Sequence, residues 1–150
     1  MLLINEICNF FNCEIKDLEQ ILFNPTNRAK LLTKFYGVWL KTTYKNRTGR
    51  FHYFEFNGIS LQDARHAKAY NNFLGVTVMQ HMYVRHRIKL RNYNLPCVIE
   101  STSNGDTRFY PIELLEIVDF PWTEERSETK PKYKKARIFI NQDNSLTISF

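Results

Sequence analysis

The densest chemistry in the chain lies between residues 81 and 91, where His81, Arg85, His86, Arg87, Lys89 and Arg91 put two imidazoles and four permanent cations within eleven residues. A second set stands upstream, with Lys45, Arg47 and Arg50 around a turn and His52, Tyr53 and Phe54 following it. Arg and Lys neutralise phosphates, and aromatic faces stack on unpaired bases or pack against sugars. Other chemistries find less support. Nucleophilic catalysis needs an activated Ser or Cys beside a base, and the chain has neither G-x-S-x-G nor a Cys/His arrangement of that kind. Cys8 and Cys13 are five apart with no second pair, and His81 and His86, also five apart, are expected on different faces of a helix, so no metal site is expected. The glycines stand singly and form no phosphate-cradling loop. Glu113 and Glu116 lie in an acidic segment and read as a solvated surface.

The charge is unevenly distributed. The net value is +6, yet residues 25–95 carry thirteen basic and two acidic residues, a local net of +11, and twelve of the 22 aromatics. Residues 96–128 are acidic, and residues 129–150 are basic again through the run Lys130–Arg137, which reads as a solvated linker or an extension of a phosphate track. On composition alone, a solvated basic face over an aromatic-rich core stands equal to a nucleic-acid surface. At 150 residues the chain can bury one core without staples. Three cysteines, an odd and sparse set, form no disulfide framework and point to a reducing compartment. The N-terminus lacks the pattern of a secretory signal, and no stretch approaches the roughly 18 apolar residues of a membrane span. Asn46-Arg47-Thr48 matches a glycosylation sequon, which without a signal peptide reads as coincidence.

Several elements must position these residues. Leu3, Ile4, Ile7, Cys8 and Phe11 predict an amphipathic helix over 3–11, and Ile15, Leu18 and Leu22 a second, stopped by Asn24-Pro25. Thr26 or Asn27 is expected to cap a third helix with Leu31, Leu32 and Phe35 inward, ended by Gly37. Val38–Tyr44 and Phe51–Phe56 read as strands around the turn Lys45–Gly49. In residues 61–74 the alanines favour helix and Asn71-Asn72 breaks it. Thr77 and Gln80 form a capping box for a helix running to about Arg87. Ile88 and Leu90 alternate with Lys89 and Arg91 as a strand would, Leu95–Ile99 looks like another strand, and Ser103-Asn104-Gly105-Asp106 predicts a hairpin returning through Thr107–Tyr110. Pro111 ends that strand before the apolar Leu114, Leu115, Ile117 and Val118. Residues 119–135 read as a linker or loop, and residues 136–150 as a terminal hairpin docked on the domain. Helices first and many short strands after, with one capped helix inserted, suggest an α+β fold around a small barrel.

The ordered set Val78-Met79-Gln80-His81, Arg85-His86, Lys89-Leu90-Arg91, Leu95-Pro96-Cys97, Phe109-Tyr110-Pro111-Ile112-Glu113 and Glu116-Ile117-Val118 resembles the PAZ domain of Argonaute, Piwi and Dicer proteins. A weaker, collinear likeness extends upstream through Phe54–Ser60, Arg28–Tyr44 and Leu3–Phe11, so that residues 1–118 are expected to be the PAZ-like domain. The resemblance implies an OB-like small β-barrel with N-terminal helices and an inserted arm. It implies a cleft between arm and barrel that takes the last two nucleotides of a single-stranded RNA 3′ end. Carried onto this chain, His81 stands for a family Tyr, His86 for a Tyr or His, and Arg85 and Arg91 for basic positions. Phe109 stands for a Tyr, Thr107 for a His, His52 for the Arg and Phe54 for the Tyr of an Arg-x-Tyr strand, and Tyr44 replaces a His. Tyr70 or Phe73 would supply the ring of the arm, residues 61–75, which is shorter than usual.

These departures have chemical weight. Phe54 and Phe109 keep a stacking face but lack the hydroxyl that would bind phosphate, and His52 is a weaker, pH-dependent donor than Arg. A one-residue shift in that strand would present Tyr53 instead. Phe54 and Phe109 would serve equally as core, and Cys97 reads as a buried small hydrophobe. The implied function is guide-RNA anchoring in RNA silencing by binding the 3′ end, with no catalysis, no cofactor and no metal. Its partners are the RNA end and other domains of an Argonaute-like or silencing-pathway protein, with no membrane and a cytoplasmic location, nuclear or granule placement being left open. The alternative is a protein-interaction module on a PAZ-like scaffold, motivated by the substituted positions and by the terminal hairpin, whose edge suits strand addition.

Overall fold

The N-terminal third folds by short-range rules. In the computed structural model, which describes residues 1–69, 75–102 and 105–119, helix α1 spans Leu3–Phe11 and buries Leu3, Ile4, Ile7 and Cys8 along one stripe. It ends at Asn12 in the left-handed region (φ 53°). Asn tolerates that conformation better than most residues. A short 3-10 turn, Ile15–Asp17, is braced by reciprocal Glu14 and Asp17 side-chain bonds and leads into α2, Leu18–Leu22. Helix α3 spans Pro25–Phe35. Its cap is neither Thr26 nor Asn27 but Asn24, whose Oδ1 accepts from the amides of Thr26 (2.9 Å) and Asn27 (3.2 Å). Asn24-Pro25 therefore ends one helix and starts the next, because Pro suits a first helical position whose N–H has no partner anyway. Leu31 and Phe35 face inward as expected, whereas Leu32 is 36% exposed and does not.

The strands pair as two three-stranded antiparallel sheets. One has the order β2-β1-β6, built from β1 (Trp39–Lys45), β2 (Phe51–Glu55) and β6 (Leu115–Ile117). The other has the order β3-β4-β5, built from β3 (Ile59–Asp63), β4 (Pro96–Ser101) and β5 (Thr107–Pro111). Leu40, Phe54 and Leu115 from the first sheet and Ile59 and Val98 from the second share one core with Leu3, Leu18, Leu22 and Leu31 of the helices. Each such side chain contributes about 1.5–3 kcal/mol by leaving water. This is the α+β arrangement that the element order suggested, with the expected barrel taking the form of two sheets about a common core. Met1–Val118 forms one compact unit. The expected hairpin at 136–150, all but the first residue of the expected linker, and the arm residues Tyr70 and Phe73 lie outside the described residues.

Arg28 binds the helical layer to the second sheet. Its guanidinium donates to the carbonyl of Leu22 (3.1 Å) in α2 and to those of Ile59 (3.0 Å) and Ser60 (2.7 Å) in β3. A smaller cluster, Ala64, Ala67, Val78, Met82, Leu90 and Cys97, seats helix α4 (Val78–His86), with Tyr44 and Phe109 packed beside it.

Two expectations fail here. Residues 61–63 continue β3 instead of turning helical, and Asp63 then folds the chain back: its carboxylate accepts from the amides of Arg65 (3.1 Å) and His66 (3.2 Å). That local side-chain bonding competes successfully with the alanines' helix preference. Residues 88–91 form no strand. Arg87 ends α4 in the left-handed region, and the Glu113 carboxylate takes the amides of Arg91 (3.1 Å) and Asn92 (2.6 Å), donors that a ladder would have used.

Candidate functional site

A cleft of about 370 Å³ opens between α4, the β1–β2 hairpin and β5. That volume falls in the range of about 300–1,000 Å³ typical of small-ligand sites. Each wall has a local cause. On α4 the capping box is complete: Thr77 Oγ1 accepts from the Gln80 amide (3.2 Å) and Gln80 Oε1 accepts from the Thr77 amide (3.0 Å). With the helix start fixed and Val78 and Met82 buried, His81, Arg85 and His86 line the cleft.

The hairpin wall depends on an irregularity. The β1–β2 register shifts between Lys41 and Lys45, and there Thr42 Oγ1 accepts from the His52 amide (3.0 Å) and donates to the Tyr44 carbonyl (2.8 Å). One buried hydroxyl thus replaces a ladder bond and re-aims Tyr44, as bulges beside sites commonly do. Asn46 Oδ1 accepts from the amides of Thr48 (3.0 Å) and Arg50 (3.0 Å), ordering the turn that brings Asn46 and Arg47 to the cleft. Such bonding of an Asn side chain to amides a few residues on is a common way to set a turn.

Aromatic and imidazole rings meet across these walls. The Tyr44 ring lies 4.6 Å from His86, and His81 meets His86 edge-on at 5.5 Å. Residues five apart on a helix are separated by about 140°, yet His86 is the last helical residue and packs on Tyr44, so the two imidazoles converge. The expectation that they stand on separate faces is corrected here. On the floor, Phe54 and Tyr110 stack at 4.5 Å, and His52 stacks on both, 5.5 Å from Phe54 and 5.7 Å from Tyr110. Glu100 organises that stack: its carboxylate lies 3.0 Å from His52 Nε2 and accepts from the Tyr110 hydroxyl at 2.8 Å.

The electrostatics follow from these contacts. Burial, then the charges of His86 and Arg85, hold the His81 imidazole below its ordinary value. Burial and then Arg85 do the same for His86. Burial pushes the Tyr44 phenol up, and burial with the Glu100 carboxylate pushes Tyr110 up, so both stay protonated donors. Burial raises the Glu100 carboxyl, but the bonds from His52 and Tyr110, with the charges of His52 and Arg108, outweigh it and the net shift is downward. The cleft therefore presents the His81 and His86 imidazoles with their charged forms disfavoured, protonated phenols, and the three guanidiniums of Arg47, Arg85 and Arg108. Among the described residues no group of three or more His, Cys, Asp or Glu is placed to hold a metal ion.

Tyr44, His52, His81, Arg85, His86 and Phe109, all named from sequence, line this one cleft. Phe54 does not: it is 4% exposed, a core residue that supports Tyr110 from beneath. Arg91 is exposed and outside it, held by its backbone bond to Glu113. Thr107 and Tyr53 are not among the lining residues. Tyr110 and Arg108 went unrecognised. In the hairpin Val98 faces Tyr110 and Glu100 faces Arg108, a register that could have been read from the turn at Gly105, whereas the resemblance had drawn the choice to Phe109. Cys97 is fully buried, its amide donates to Ser60 Oγ (2.8 Å), and burial pushes its thiol up to about 12, which suits the structural reading.

No family model and no curated protein matches the chain. Solved structures do. A Drosophila Argonaute PAZ domain in complex with 3′-end 2′-O-methylated RNA aligns with a TM-score of 0.64 at 20% identity, covering 79% of this chain and 98% of that one. The Drosophila Argonaute 2 PAZ domain, described for 3′-end recognition of nucleic acids, aligns with a TM-score of 0.49 at 20% identity over 65% of this chain and 77% of that one. The chain thus has a PAZ-like fold. No described helix is long and apolar enough to cross a membrane.

Proposed function

We propose that this PAZ-like domain binds the 3′ end of single-stranded RNA in the cleft between α4 and the β1–β2 hairpin, and that it serves to anchor a guide strand in RNA silencing. The carrying observation is convergence: three histidines, three arginines and the rings of Tyr44, Phe109 and Tyr110, from three separate stretches of sequence, line one opening of about 370 Å³. Support at the level of fold comes from the similar Argonaute PAZ domain, which was solved with a methylated RNA 3′ end.

The chemistry suits a chain end better than a base sequence. Arg47, Arg85 and Arg108 supply charge for the terminal phosphates without reading base edges. Tyr44, kept protonated, can donate to phosphate or ribose oxygens, whereas the Tyr110 hydroxyl is committed to Glu100 and offers its ring; the ring faces are indifferent to base identity. His52 is engaged by Glu100, so its part is to orient the floor rather than to meet phosphate as an Arg would. The reading assigns binding and no catalytic step.

The test is a titration of an eight-nucleotide RNA with a free 3′ end against the same strand with that end buried in a duplex. A preference of at least about tenfold for the free end is expected; equal affinity removes the end-binding reading.

A further inference from the structure

Helix α4 has a second concave side. Opposite the cleft, a groove of about 630 Å³ is lined by Arg65, Met79, Tyr83, Val84, Lys89 and Tyr93, among others. Tyr83 is 57% and Val84 67% exposed. An aromatic and an aliphatic residue thus stand on a helix face where solvated residues are usual. The Arg65 guanidinium lies over the Tyr93 ring at 5.1 Å, held in turn by Asp63 at 3.1 Å. None of the residues lining the groove is acidic, and Lys89 adds a second cation at its rim beside Arg65, which is paired with Asp63.

We infer that this groove is a second single-stranded RNA subsite, which takes bases lying 5′ of the end held in the cleft. The inference rests on the end-binding reading above. Two observations select nucleic acid over other occupants. Lys89 at the rim suits a phosphate, and exposed rings beside a guanidinium plane are the elements on which unpaired bases stack. Cleft and groove are also walled by the same helix, α4: His81, Arg85 and His86 face one, Met79, Tyr83 and Val84 the other. A helix with its side chains is about 10–12 Å across, a span that two or three nucleotides cover. Between the two sites the chain sets Arg85, Arg87 and Lys89 at every second position, cations that suit the intervening phosphates.

The test compares RNAs of three and eight nucleotides, both with free 3′ ends, on the full chain and on the variant Tyr83→Ala/Tyr93→Ala, each monitored by its melting curve. Both tyrosines are solvent-exposed, and Tyr83→Phe/Tyr93→Phe, which keeps the rings, serves as a folding control. The eight-mer is expected to bind the native chain at least about tenfold more tightly than the three-mer, one base stack being sufficient for that factor. The alanine variant is expected to lose the gain while holding the three-mer unchanged, and the phenylalanine variant to keep it. A gain that survives both alanines overturns the subsite. So does three-mer binding with no gain for length, and in both cases the cleft reading stands. No binding of either RNA removes both. Displacement of the eight-mer by an acidic, Trp-containing peptide more effectively than by unlabelled eight-mer would assign the groove to a protein and overturn the inference.

Discussion

Arg28 and Arg85 carry the same guanidinium to opposite ends. Arg28, between the helical layer and β3, donates to three main-chain carbonyls and lies over the Phe23 ring, and burial lowers its pKa. Arg85, on α4, is exposed at the mouth of a cleft among imidazoles and rings. The basic block of residues 25–95 is therefore two things at once: structural cation at its beginning, cleft-lining cation at its end. Net charge alone cannot separate them, since what differs is whether carbonyl oxygens already surround the group.

The sharpest way to break this contrast is Arg28→Met. Leaving the Leu22, Ile59 and Ser60 carbonyls without a donor should cost about 2–3 kcal/mol in urea unfolding, with RNA affinity of the folded fraction unchanged. If RNA affinity fell and stability held, the two roles would be exchanged. Arg85→Ala should do the reverse: about a tenfold weaker hold on a free RNA 3′ end by fluorescence anisotropy, a shallower salt dependence by about one ion, and stability within about 0.5 kcal/mol of the native chain.

A smaller effect sharpens the cleft side. His81 and His86 are held below the ordinary imidazole value of about 6.5 in the free protein. A phosphate beside them favours the charged form, so the bound value exceeds the free one and binding takes up protons. Affinity should rise by about threefold as pH falls from 7.5 to 5.5, and the rise should vanish in His81→Gln/His86→Gln. The smallest effect is on stability. The Glu100 carboxyl sits below its unfolded value, so its contribution is present above about pH 4.5 and fades as pH falls through the folded value. Glu100→Gln should flatten that part of the stability curve, read by thermal melts between pH 5 and 3.

The fold was legible where neighbours in sequence decide the outcome. The apolar stripe of α1, the Thr77/Gln80 box of α4 and the hairpin around Gly105 all rest on interactions within a few residues, and each stands where its residues predicted. Legibility was lost where a distant side chain intervened. Nothing near Arg91 announces that Glu113, 22 positions on, will take its amide and dissolve the expected strand. At the site, six residues named from sequence share the cleft, while Phe54 takes the core place that the sequence left equally open to it and Tyr110, not named from sequence, lines the cleft. The strand pattern gives the face of a ring, and only packing says which member of a stacked pair meets solvent.

Arg87 closes α4 with a φ of 58°. That conformation costs an L-residue with a side chain roughly 1–2 kcal/mol, and glycine adopts it freely. Here a cationic residue occupies the point where the chain leaves His86 and turns toward Lys89. A sturdier version of this protein is thus one substitution away, Arg87→Gly, and that same exchange would interrupt the run of positive charge joining the two sides of the helix. Backbone ease and surface charge compete at a single dihedral angle.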